Sequence, residues 1–150
     1  MVKTINTKEC IRILKNNYIG YLSYLVLRIP YVVPITYFYD KNDHTLVFYS
    51  AEGQKIKAMR TNPNVSMSVT EINAINNWNS VSVRGVFEEL EGVSAKAKLH
   101  DFSLGIKDLI RIKEHKKMSF LNEFSSKMFD QKSSIIFIIK NLEITGLKRG

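Results

Sequence analysis

The stretch from Tyr31 to Val69, YVVPITYFYDKNDHTLVFYSAEGQKIKAMRTNPNVSMSV, decides the fold. Tyr31 to Tyr39 (YVVPITYFY) is rich in β-branched and aromatic residues, which suit a pleated, half-buried strand. The turn formers Asp40 to His44 lead into a second apolar run, Thr45 to Tyr49, so the two runs read as a hairpin. Gly53 then opens GQKIKAMRTNP, with Ile56 and Met59 on one helical face, Lys57 on another and Pro63 closing the segment. Val65 to Ile72 (VSMSVTEI) alternates apolar and polar residues. Strands joined by tight turns suit an antiparallel sheet that closes on itself, whereas a parallel sheet needs a crossover helix after each strand.

The flanking sequence extends this pattern. Thr7 can cap a short amphipathic helix carrying Ile11, Ile13 and Leu14, which Asn16 and Asn17 stop. Ile19 to Leu27 and Val81 to Phe87 read as further strands. Val93 to about Gln131 lacks strand alternation, is broken by Gly105, and reads as two or three short helices. Ser134 to Leu147 is β again. The expected fold class is α+β, mainly β: a small antiparallel barrel with peripheral helices, in one domain spanning residues 1–150.

Composition narrows the function classes. With 45% hydrophobic and 24% charged residues the chain has material for a core, so disorder is not expected as its main state. No run is long and apolar enough to span a membrane, and MVKTINTKEC lacks the apolar core of a signal peptide, so a cytoplasmic protein is expected. Cys10 is the single cysteine and His44, His100 and His115 are scattered, which points away from disulfides and structural zinc. The net charge of +8 favours anionic partners, but the basic groups are spread along the chain. The densest run, Arg111 to Lys117, includes Glu114 and reads as a solvated helix face rather than a nucleic-acid stripe.

Three places can carry chemistry. Lys55 follows Gly53 at a helix start, where free N–H groups and the helix dipole favour an anion, and Lys55 with Arg60 one turn on as a second cation would make a phosphate pocket. Ser50 and Ala51, a hydroxyl and a small residue at a strand end, let a phosphate approach the backbone. On charge alone, Lys55 and Lys57 read rather as solvated surface charges, the commoner fate of helix lysines, and it is Ser50, Ala51 and Gly53 beside them that turn the reading toward a phosphate. Pro34 interrupts a strong strand and removes one ladder donor, which marks an edge, a bulge, or a stretch of backbone facing something other than a strand. Trp78 and Ser80 stand at the start of a strand, where packing and solvent exposure are the ordinary readings.

Together these residues resemble the flavin-binding split-barrel superfamily named for pyridoxamine 5'-phosphate oxidase, and most of all its small nitroimidazole-reductase-like members. The resemblance covers Ile19 to Leu90, including WNSVSVRGVFEEL, and the closing IIFIIKNLEITGLKRG. It implies a six-stranded split barrel holding FMN at a homodimer interface. It implies that Val33, Pro34, Ile35 and Thr36 face the isoalloxazine ring, and that Tyr49, Ser50, Ala51, Gly53 and Lys55 hold the ribityl phosphate. Ser80, five residues before Gly85, would bond the ring or ribityl chain, with Trp78 flanking that wall. Gln54-Lys55 replaces the Arg-Lys usual in pyridoxamine-type oxidases, and Tyr49 stands where nitroimidazole-reductase-like relatives often carry histidine.

The expected function is that of an FMN-dependent oxidoreductase acting on an unidentified small molecule, with NAD(P)H a candidate electron donor. The alternatives are a flavin-binding or sensing module without turnover and a basic nucleic-acid-binding small barrel. Neither nucleic acid nor membrane is an expected partner, and no catalytic residue independent of the flavin stands out.

Overall fold

A computed structural model gives the fold over residues 1–114 and 134–150. In chain order the elements are β1 (Val2–Thr4), α1 (Thr7–Lys15), β2 (Ile19–Val26), β3 (Ile29–Asp40), β4 (Thr45–Ala51), α2 (Gln54–Thr61), β5 (Asn64–Ala74), β6 (Asn77–Leu90), α3 (Gly92–Glu114) and β7 (Ser134–Arg149). All pairings are antiparallel, and the ring runs β7, β4, β3, β2, β5, β6 and back to β7. The expected six-stranded split barrel is therefore present. β7 closes it because it is long enough to serve three neighbours. Ser134 to Ile139 pair with β4, Ile136 to Arg149 pair with β6, and Leu147 to Arg149 also take β1. β1 was not expected: its three residues are all exposed and carry no alternation to read.

Alternation along the strands fills the barrel. Leu22, Tyr37, Leu46, Phe48, Met67, Val69, Val81, Val83, Phe137 and Ile139 form one buried cluster. Phe137 sits at its centre, with ring centroids 4.7 Å from Phe48 and 5.1 Å from Phe87. Cys10, Ile13 and Leu14 of α1 and Ile56, Ala58 and Met59 of α2 join the same cluster. Each large side chain fully buried there stabilises the fold by about 1.5 to 3 kcal/mol. A second cluster, Val47, Phe102, Ile106, Ile110 and Ile138, fixes α3 on the outside of β4 and β7.

Two local expectations change. Asn6, not Thr7, caps α1: it has extended backbone, and its Oδ1 accepts the Glu9 N–H at 2.8 Å. α3 runs through Gly105 without a break. A Cβ at that position would lie 2.1 Å from Cε1 of Phe38, so the glycine serves close packing of the helix on β3 and not helix termination. The helical reading beyond Glu114, including the rest of the basic run to Lys117, lies outside the described residues. No helix among the described residues is long and apolar enough to cross a membrane.

Candidate functional site

β3 and β4 pair only over the hairpin end. The register runs from Asp40 and Thr45 to Tyr37 and Phe48, and there the ladder ends. β3 continues toward Ile29 paired with β2, while β4 continues through Tyr49, Ser50 and Ala51 paired with β7. Two backbones thus part beside Pro34 to Thr36. The Tyr37 N–H donates to the Tyr18 carbonyl at 2.8 Å, on the β2 side. Main-chain polar groups alternate in direction along a strand, so Pro34 and Thr36 turn theirs away from β2, toward β4 and the opening beside it. Pro34 has no N–H to offer there, and Ile35 directs its own toward its partner Gly20 on β2. Of the segment Val33 to Thr36, the Thr36 N–H is the donor aimed at the gap.

α2 begins just beyond the other lip. Gly53 is its N-cap, with extended backbone and no side-chain capping bond, and among the described residues no side chain accepts from the first-turn N–H groups. A Cβ at Gly53 would meet nothing within 4 Å, so neither backbone strain nor protein packing calls for a glycine here. Open space, uncapped donors and Lys55, which has no ion pair among the described residues, fit an anionic group. The Ser50 hydroxyl is buried and donates to the Ala51 carbonyl at 3.0 Å, bracing the strand end. The Tyr49 ring packs against the cluster beneath α3.

Arg60 does not join this anion site. Its guanidinium is taken by Glu52 at 2.6 Å and by Glu89 at 2.5 Å, and the bonds to Glu89 and then Glu52 hold its pKa above the usual arginine value. The sequence expectation of a second phosphate cation at Arg60 is thus corrected. Sequence reasoning missed this clamp because Glu52 and Glu89 flank the helix from different elements.

Trp78 and Ser80 stand apart from the phosphate lip. Tyr49 pairs with Ile136 on β7 and Ser80 with Leu147, eleven residues further along that strand. β7 bends between them at Asn141, and across the sheet, through Thr36, Ile19 and Thr70, Ser80 lies about four strand spacings, about 19 Å, from Tyr49. Around the other side of the barrel, Pro34 pairs with Tyr21, Tyr21 with Ser68, and Ser68 with Ser82. Ser80 lies on the same outward face as Ser82, and Pro34 is about 14 Å from Ser82 across three strand spacings. This face also carries Ile19, Tyr21 and Val32, exposed by 51%, 49% and 62%. A single chain therefore presents the expected residues as a lip and a neighbouring open face, not as one enclosed pocket.

Residues 6–118 match the family described as pyridoxamine 5'-phosphate oxidase. An uncharacterized protein of Rhizobium meliloti (strain 1021), RA0666, is 40% identical over 77 residues, covering 50% of this chain and 50% of that protein. The matched region thus spans about half the length of that curated relative. Among solved structures, an FAD-binding protein of Mesorhizobium loti is 28% identical with a TM-score of 0.76, covering 100% of this chain and 99% of that one. A candidate 5-nitroimidazole antibiotic resistance protein of Bacteroides thetaiotaomicron is 20% identical with a TM-score of 0.61, covering 99% and 89%. The latter likeness is one of fold.

Proposed function

The chain belongs to the pyridoxamine 5'-phosphate oxidase family, and from that premise we propose that it binds FMN between β3 and α2 and works as a flavin-dependent oxidoreductase on a small molecule. The observation that carries the reading is the parting of β3 and β4 beside an uncapped helix start with Lys55. In this reading the α2 N–H groups and Lys55 bind the phosphate, and Ser50 and Ala51 shape its approach. The Thr36 N–H points to the ring, where Val33, Pro34 and Ile35 form the adjoining wall. Bound flavin supplies hydride and single-electron transfer. A single phosphate is favoured because Lys55 is one cation and the neighbouring Arg60 is already neutralised.

A second copy of the chain completes the site in this proposal. Ile19, Tyr21 and Val32 expose large apolar surface beside Pro34, which a partner would cover, excluding water from the ring. Trp78 and Ser80, far from the phosphate lip within one protomer, would reach the flavin across that interface. The net charge of +8 suits recruitment of an anionic donor such as NAD(P)H. A cytoplasmic location belongs to the same proposal, in keeping with a free, buried Cys10.

FAD is the second reading, favoured by the name of the 28% identical Mesorhizobium loti protein. Fluorescence titration of the purified protein with FMN, FAD and riboflavin separates the two. FMN binding tighter than both others supports the proposal, tighter FAD binding transfers it to the dinucleotide, and no flavin binding at all overturns both.

A further inference from the structure

Arg60 grips two carboxylates at once. Nη1 donates to Oε1 of Glu52 at 2.6 Å and Nη2 to its Oε2 at 3.1 Å. Nε donates to Oε2 of Glu89 at 3.1 Å and Nη2 to its Oε1 at 2.5 Å. A planar guanidinium pairs with carboxylates in two-pronged fashion, which fixes direction as well as distance. Glu89 belongs to the barrel wall, paired with Phe137 of β7. Glu52 belongs to the short connection between Ala51, the last residue of β4, and Gly53, the cap of α2. One side chain therefore ties the helix, the wall and the connection together.

That connection is the segment that must stay in place for an anion to find the α2 donors. Glu52 and Gly53 lie outside both flanking elements, and open space surrounds the Cβ position of Gly53. A loose connection would spread the first-turn N–H groups and Lys55 over several arrangements, and a ligand would bear the ordering cost on binding. We infer that Arg60 is a positioning residue for the flavin phosphate: through Glu52 and Glu89 it holds the β4–α2 connection in its binding arrangement without touching the ligand. The inference rests on the FMN reading above and adds to it a residue with a defined, indirect role.

Charge and position make opposite forecasts at Glu52. It is an anion beside a site for an anion, so on charge alone Glu52→Gln should tighten FMN binding. If the clamp positions the connection, the same substitution should weaken FMN, because the neutral amide gives up the charge-assisted pair. The test compares wild type, Glu52→Gln, Arg60→Met, Arg60→Lys and Arg84→Met. The last removes a guanidinium paired with Glu143 on the barrel wall and serves as the control of equal charge change. FMN and riboflavin affinities are read by flavin fluorescence, and folding by thermal melts of the flavin-free proteins.

Loss of about tenfold in FMN affinity in Glu52→Gln and Arg60→Met, with riboflavin changed by less than about twofold, is the expected result. Arg60→Lys should recover little, since one ammonium cannot serve both carboxylates two-pronged, and Arg84→Met should bind FMN as wild type does. Tighter FMN binding by Glu52→Gln would overturn the positioning role, as would equal losses for FMN and riboflavin. Should Arg60→Met fail to fold, Glu52→Gln keeps the Arg60–Glu89 pair and still decides the matter. A wild-type protein that binds no flavin would overturn the FMN reading itself, an outcome distinct from wild type binding FMN while Glu52→Gln binds it more tightly.

Discussion

The Tyr37 hydroxyl donates to the Leu14 carbonyl at 2.8 Å, joining the last β3 residue paired with β4 to the final turn of α1. Leu14 lies in the last turn of its helix, where carbonyls lack an intrahelical donor, and the phenol fills that vacancy inside the core. Tyr37 is also the residue from which β3 and β4 diverge.

Tyr37→Phe should therefore destabilise the protein by about 1 to 3 kcal/mol, because the ring volume is kept while a buried acceptor loses its donor. Burial, with the Glu71 charge adding to it, pushes the Tyr37 phenol far above its ordinary pKa. The folded chain thus keeps a proton that the unfolded chain releases near about pH 10, and wild-type stability falls as pH rises past that value. The deficit of Tyr37→Phe should shrink accordingly between about pH 8 and about pH 10.5 in denaturant unfolding. A constant deficit would show that Tyr37 does not stay neutral by burial.

Asp40 gives a prediction of the opposite sign. Burial pushes its carboxyl up, but the Lys98 ammonium and the Asn42 N–H hold it lower still, for a net depression. Its contribution is present above the unfolded value of about 3.9 and is lost as pH falls through the lower folded value. Lys98→Met leaves this carboxylate buried without its cation and should cost about 3 kcal/mol near neutral pH. The gap to wild type should narrow below about pH 4. Urea unfolding at the two pH values checks it, and a gap that widens in acid would rule the ion pair out as the cause.

What could be read from the sequence was what local chemistry determines. Val65 to Ile72 and Val81 to Phe87 alternate, and both lie within strands as expected. Pro34 announced a break in pairing because its missing N–H is a property of that residue alone. Which side the break faces follows from the Tyr37 to Tyr18 bond, and no motif encodes that register. Gly105 misled because its reason is the Phe38 ring, 67 residues earlier in the chain. Arg60 misled for the same kind of reason: next to Lys55 it looks like a phosphate cation, while Glu89, 29 residues on, claims it.

Association through the open face is tested at Tyr21, which stands half exposed beside Pro34 in the row that ends at Ser82. Sedimentation velocity on wild type with FMN should return a mass near twice the 17.3 kDa of one chain. Tyr21→Glu places a charge in the centre of the apolar patch and should yield monomers whose FMN affinity falls with their association. A monomeric wild type at micromolar concentration would remove the interface. A Tyr21→Glu dimer of normal affinity would move it to another face.

Gly53 separates fold from ligand most cleanly, because the structure itself makes no demand on it. Its φ of 174° is extended backbone open to any residue, and an added Cβ would meet nothing within 4 Å. Gly53→Ala should change the melting temperature of the flavin-free protein little, because the smaller entropy of the unfolded chain offsets the poorer N-cap that alanine makes. A methyl group at the helix cap would nevertheless occupy the space through which a phosphate reaches the first-turn N–H groups. FMN should then bind more weakly while riboflavin binds as before. Lys55→Ala should act in the same direction and more strongly, by about ten- to a hundredfold, since a charge-assisted contact is lost. If Gly53→Ala bound FMN as wild type does while Lys55→Ala lost affinity, the lysine would hold the phosphate from elsewhere and the helix start would have no part in it.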